Sequence, residues 1–234
     1  RIVLQSKVGI RFADDPPGSP LRYDFSHDHI VGAVDGILER LQVESLDLLL
    51  LHRPDPLAEP DEVARAFSAL ARQGKVRYFG VSNHNASQIA LLQRSVEQPL
   101  VVNQLELNPL HAHLIDDGVM VNRIDGRHAA ASGILDHCRL EGILIQAWSA
   151  LAGGRLARPE ELAAAVVAAL AADHQVSAEA IVLAWLLRHP AGIQPLIGTL
   201  NPARIAACCA ADRVELSRED WYRLYTAARG EVLP

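Results

Sequence analysis

Short apolar runs alternate with longer helical patterns along the whole chain, and that alternation admits few folds. The runs fall at residues 2–6, 46–51, 77–81, 100–104, 143–147 and 194–197. Each is bounded by turn-forming or polar residues and lacks regular polar alternation, the pattern of strands buried on both faces of a parallel sheet. Between the first two, Ile30, Val34, Ile37, Leu38 and Leu41 form one buried stripe on a helix predicted over 28–41. Further helical patterns cover 62–73, 85–96, 134–140, 160–172, 178–189, 201–211 and 218–229. Pro60 and Asp61 open the first of these and Gly74 stops it. Strands joined through helices imply right-handed parallel units, either a doubly wound sheet or a barrel.

The residues that end the strands favour the barrel. The six runs end at or just before Lys7, His52, Ser82-Asn83, Gln104, Trp148-Ser149 and Gly198-Thr199. In an α/β barrel the carboxyl ends of the strands converge on one mouth, where active sites sit. Taken singly, these residues have ordinary roles: a strand-end lysine is commonly solvated, and Asn83 or Gln104 can satisfy buried backbone groups. Six such terminations in succession point to a catalytic mouth. The 234 residues, half of them hydrophobic, suit a single domain over 1–234 of the size such barrels occupy.

Two segments suit phosphate. Trp148-Ser149-Ala150-Leu151-Ala152-Gly153-Gly154-Arg155 follows a strand, and its small residues let the backbone approach a ligand closely. Ile197-Gly198-Thr199-Leu200-Asn201-Pro202-Ala203-Arg204 ends a strand and opens a helix, whose free N–H groups and Arg204 favour an anion. Together they suggest a dinucleotide with an additional phosphate. No G-x-G-x-x-G follows a strand, so a Rossmann site is not supported.

Other partners are disfavoured. A formal net charge of -6 argues against nucleic acid or an anionic membrane as the main partner. No stretch reaches the roughly 18 uncharged apolar residues of a membrane helix. The three cysteines, Cys138, Cys208 and Cys209, form no disulfide framework, and a cytoplasmic location is the expectation. The His27/His29 and His111/His113 pairs lack a cysteine or carboxylate cluster at ligand spacing, so no metal is expected.

The motifs Ser6-Lys7, Leu51-His52-Arg53-Pro54-Asp55-Pro56, Gly80-Val81-Ser82-Asn83, Asn103-Gln104-Leu105-Glu106, Trp148-Ser149 and Ile197-Gly198-Thr199 resemble those of aldo-keto reductases in order and approximate spacing. The chain looks most like the bacterial branch related to the oxidoreductase YdhF. The resemblance implies a (β/α)8 TIM barrel that uses NADP(H) to reduce small aldehyde or ketone carbonyls by hydride transfer. It assigns Lys7 and His52 to the catalytic set. Ser82, Asn83 and Gln104 would hold the nicotinamide carboxamide, and Trp148 would stack on the ring. Ser149, Leu151, Gly153, Gly154 and Arg155 would run along the pyrophosphate. Ile197, Gly198, Thr199 and Arg204 would hold the ribose 2′-phosphate. Where relatives carry Glu and Asn for the adenine, this chain has Ala207 and Cys208, so phosphate pairing should carry more of the affinity.

The same resemblance implies an incomplete barrel, with strands 3 to 8 present and the first two βα units missing. The family's catalytic tyrosine and aspartate belong to that segment, and neither Tyr23 nor Tyr78 stands at the motif position. The expectation is therefore weak or absent reductase activity for this chain alone. A non-catalytic NADP(H)-binding regulatory barrel is the alternative. Residues 120–132 read as an inserted loop.

Overall fold

The computed structural model describes residues 2–120, 133–158 and 161–233. Beyond Met120, the insertion expected at 120–132 lies outside the described residues. The chain divides into two compact units, Arg1–Gln104 with Glu141–Ile143, and Leu105–Leu140 with Leu144–Pro234.

The first unit holds β1 (Gln5–Val8), an antiparallel ribbon of β2 (Ile10–Arg11) and β3 (Arg22–Tyr23), α1 (His27–Leu41), β4 (Leu46–Leu51), α2 (Pro60–Arg72), β5 (Val76–Ser82), α3 (Ala86–Gln93) and most of β6 (Leu100–Glu106). β1 pairs with β4, β4 with β5 and β5 with β6, all parallel. Five of the six residues of β4 are buried, so both faces are covered, as its leucine run predicts. One cover is α2, which buries Val63, Ala66, Phe67 and Leu70, and the Phe67 ring stacks on Phe79 of β5 at 4.2 Å. Full burial of a phenylalanine contributes about 1.5–3 kcal/mol, so this pair is a principal weld between helix and sheet.

β1 begins later than the apolar run suggests. Ile2 and Val3 are 86% and 71% exposed, because the ladder with β4 starts at Gln5 opposite Leu48. Lys7 consequently lies within the strand rather than past its end.

The β5–β6 ladder slips. Phe79 faces Leu100 but Val81 faces Asn103, so β6 carries one extra residue across this interval. Gly80 sits at the slip, where a Cβ would lie 2.6 Å from the Val102 carbonyl oxygen and 2.8 Å from Leu50 Cδ2. The close approach lets Ser82 reach register with Gln104.

The second unit holds α4 (His113–Val119), α5 (Ile134–Leu140), β7 (Leu144–Trp148), a 3₁₀ turn (Ala152–Ala157), α6 (Leu162–His174), α7 (Ala178–Leu187), β8 (Gln194–Pro195), α8 (Pro202–Cys209), a second 3₁₀ turn (Ala210–Arg213) and α9 (Arg218–Arg229). β7 and β8 pair in parallel. β8 is shorter than predicted because Pro195 has no N–H to continue the ladder, although Leu196 N–H still donates to Ala147 O at 2.9 Å. α7 is buried from Ala180 to Leu186. Its Trp185 stacks on Trp221 of α9 at 4.9 Å, and each indole N–H donates to the other residue's carbonyl, at 3.1 and 2.9 Å. The opposite end of α9 is tied to α4, where the Asp116 carboxylate accepts from the Tyr225 hydroxyl and the Arg229 guanidinium. Among the described residues no single helix is long and apolar enough to cross a membrane.

Gly80→Ala should lower stability by about 2 kcal/mol or more, since backbone rather than a flexible side chain must move. A denaturant midpoint equal to that of the parent chain would contradict the close approach.

Candidate functional site

In the first unit the strand ends bring Lys7, His52, Ser82, Asn83 and Gln104 together. Lys7 Nζ donates to Gln104 Oε1 at 3.0 Å. Their strands, β1 and β6, are separated by β4 and β5, so a flat sheet would hold their backbones roughly 14 Å apart at the usual interstrand spacing. In a flat sheet both side chains would have to lie fully extended across β4 and β5 to bridge that span; side chains that stand off the sheet meet when it curls toward them, with these residues on its concave face. That curvature is what a barrel wall demands.

The neighbours are fixed by backbone bonds. His52 N–H donates to Val8 O at 2.9 Å, which holds the end of β4 against β1. Asn83 Nδ2 donates to His52 O at 3.2 Å and to Ser82 Oγ at 2.9 Å. Ser82 Oγ and Asn83 N–H both donate to Gln104 O, at 2.8 and 3.0 Å. Asn83 takes a left-handed conformation, φ 62°, which asparagine tolerates better than most side chains. Beneath this turn lies His84, 3% exposed, whose Nδ1–H donates to Ser82 O at 2.9 Å. Burial pushes its pKa down to about 4, so the ring is neutral. Sequence reasoning passed over His84; its only signal was its place between the strand end and Asn85, the side-chain cap of α3.

Two titrating groups face this site. Burial lowers the Lys7 ammonium from its ordinary 10.5. Burial, then the positive charges of Lys7 and Arg53, lower the His52 imidazole from 6.5. At neutral pH His52 is an uncharged ring with one N–H to donate, beside a cation.

The second unit holds the remaining predicted residues. Trp148 O accepts from Leu107 N–H at 3.3 Å, and Ser149 O accepts from Asn108 Nδ2 at 3.0 Å. Asn108 is a second residue that sequence reasoning missed, although its Asn-Pro dipeptide marks a turn. Ser149, Gly153 and Gly154 all have positive φ, at 56°, 63° and 80°. A Cβ at either glycine would meet nothing within 4 Å, so both backbones border open space. Leu151, beside them, is half-buried. Arg155 is held by Glu161 through Nε and Nη2, at 3.0 and 2.8 Å.

Ile197, Gly198 and Thr199 lie between β8 and α8, and Thr199 Oγ1 accepts from Asn201 N–H at 3.2 Å. The Asn201 side chain caps α8, accepting from Ala203 and Arg204 N–H at 2.9 and 3.4 Å. The Arg204 side chain is exposed on the first turn, with no ion pair among the described residues. Cys208, one turn on, is only 4% exposed, and burial raises its thiol above 9.0.

The profile of the aldo/keto reductase family matches residues 1–228. The chain is 41% identical over 238 residues to a 6-dehydroglucose reductase of Novosphingobium aromaticivorans, covering 100% of this chain and 71% of the relative. It is 36% identical over 240 residues to the oxidoreductase YdhF of Escherichia coli, covering 100% and 74%. Among solved structures, an aldo/keto reductase from Klebsiella pneumoniae in complex with NADP and acetate superposes with a TM-score of 0.74 at 22% identity, covering 95% of this chain and 69% of that one. A putative 2,5-diketo-D-gluconic acid reductase B superposes at 0.73 and 24% identity, covering 100% and 71%. The fold is of the TIM-barrel type these reductases share.

Removing the neighbouring cation should ease protonation of His52. Lys7→Met is expected to raise the His52 titration midpoint toward 6.5, read by NMR of the imidazole protons, because the Lys7 charge is one cause of its depression. An unchanged midpoint would show that the two side chains do not face each other.

Proposed function

The chain belongs to the aldo/keto reductase family and is an oxidoreductase by kinship, and on that premise we propose that it uses NADPH to reduce aldehyde or ketone carbonyls of small molecules to alcohols. The observation that carries this reading is the cluster of Lys7, His52, Asn83 and Gln104 at the strand ends, joined by the Lys7–Gln104 hydrogen bond.

The residues fit a phosphorylated dinucleotide. Gly153 and Gly154 border open space where a backbone can approach a pyrophosphate, with Ser149, Leu151 and Arg155 in the same stretch. Arg204 exposes its guanidinium on the first turn of α8, beyond Ile197, Gly198 and Thr199, where charge and helix dipole both favour a 2′-phosphate. Ser82, Asn83 and Gln104 carry amide and hydroxyl groups suited to a carboxamide, and Trp148 offers an aromatic face. When bound, NADPH supplies the hydride.

His52, neutral and beside Lys7, orients the carbonyl oxygen and donates a hydrogen bond to it as charge develops. Lys7 stabilises negative charge on the same side, and a phenol placed next to it would be acidified by roughly 1–3 pH units. Among the described residues the Lys7 side chain donates to Gln104 and not to a tyrosine. Tyr23 lies in the ribbon, Tyr78 is 45% exposed in mid-strand, and Tyr222 and Tyr225 lie on α9. On this reading a chain with no phenol beside Lys7 would turn over weakly, because proton delivery would be unassisted. The same observation favours a second reading, a barrel that binds NADP(H) without catalysing reduction.

Arg204→Ala should weaken NADPH binding by about ten-fold or more, the cost of a charge-assisted contact, and leave NADH binding unchanged. Quenching of tryptophan fluorescence measures both. In an assay with 4-nitrobenzaldehyde, slow NADPH oxidation that His52→Ala lowers further supports the reductase; tight NADPH binding with no turnover supports the non-catalytic barrel. Failure to bind NADPH would overturn both.

A further inference from the structure

The second unit contains a cavity of about 430 Å³ whose chemistry the reductase reading does not use. It lies beyond the amino end of β8: Arg188 and His189 follow α7 directly and precede the strand's first residue, Gln194. Trp148 and Ser149 stand at the carboxyl end of β7, which runs parallel to β8, so the cavity is at the opposite end of this strand pair.

Among the described residues, three guanidiniums line it, from Arg139, Arg188 and Arg218, against one carboxylate, Asp136. That carboxylate is taken by Arg139 at 3.4 Å. Arg188 is anchored through Nε to Leu216 O at 3.1 Å, which leaves its two terminal nitrogens, with Arg218, lacking a carboxylate partner among the described residues. His189 accepts from Ala191 N–H through Nδ1 at 3.2 Å, so its proton is on Nε2 and available to donate. Apolar side chains lie beside these donors: the His189 and Trp221 ring centroids are 6.4 Å apart, and Arg218 and Trp221 are one turn apart on α9. Ile115 and Leu135 contribute aliphatic surface, and Trp221 is immobilised by its stack on Trp185.

The volume suits a small organic ligand, and the lining carries both cationic and apolar side chains. A bare phosphate would leave the apolar side chains against water, and a neutral hydrocarbon would leave two guanidiniums unpaired. We propose that this cavity binds a small carboxylic acid with an aromatic or aliphatic body. Arg188 and Arg218 hold the carboxylate through forked hydrogen bonds, and the body packs between Ile115, Leu135 and Trp221.

Isothermal titration calorimetry of the full chain with 4-phenylbutyrate tests this. One saturable site is expected, with 4-phenylbutanol and inorganic phosphate each at least about ten-fold weaker. Arg218→Ala, an exposed position, should fold normally in a thermal melt and weaken the acid by about ten-fold or more; Arg188→Ala should do likewise. His52→Ala should bind the acid as the parent does. The proposal is overturned by absent saturable heat, by equal affinity for the alcohol or for phosphate, or by unchanged affinity in both arginine variants. Loss of binding in His52→Ala would also overturn it, since it would place the acid at the strand-end site.

Discussion

The hydrogen bond between Lys7 and Gln104 governs what the first unit can do. It joins β1 and β6 across the two strands between them, β4 and β5, a span that side chains standing off the sheet cover when it curls. Once the sheet curls, the carboxyl ends of β4 and β5 deliver His52 and Ser82-Asn83 to the same concave face. The bond also bears on charge: burial is the main cause that lowers the His52 imidazole from 6.5, and the half-buried ammonium, held by an amide oxygen, adds to it. A neutral imidazole next to a cation suits an oxygen that gains negative charge.

This geometry depends on the slip between β5 and β6. Without the extra residue in β6, Ser82 and Gln104 would be out of register, and one step of register turns a side chain to the other face. Gly80 makes the slip possible by letting Val102 O approach where a methyl group would stand. His84 supports the turn from below, and its burial in neutral form keeps Ser82 O engaged away from the open side.

Much of this was legible in the sequence. Buried parallel strands announce themselves as apolar runs, and polar residues that end them mark a mouth, so Lys7, His52, Ser82-Asn83 and Gln104 could be read directly. Boundaries were less legible. Residues 2–4 read as strand from composition, yet the ladder partner starts opposite Gln5, and Pro195 cut β8 to two residues. α4 was hidden because its seven residues carry too short a period to register. Position along the chain gives no sign that Arg155 pairs with Glu161 or that Cys208 is buried. Side-chain partnerships of this kind, like the Tyr225–Asp116–Arg229 group, arise from distant segments and leave no local periodicity to read.

Contact between side chains 7 and 104 is the point on which the account stands, and zero-length coupling measures it most directly. A Gln104→Glu chain treated with a carbodiimide should form an amide between Lys7 Nζ and the new carboxylate, found by mass spectrometry as one cross-linked peptide pair and absent from the parent chain. Coupling requires the groups to touch, as they do at 3.0 Å here. Cross-links from Lys7 only to other carboxylates, or none, would mean that the sheet does not curl and that the strand ends do not form a common site.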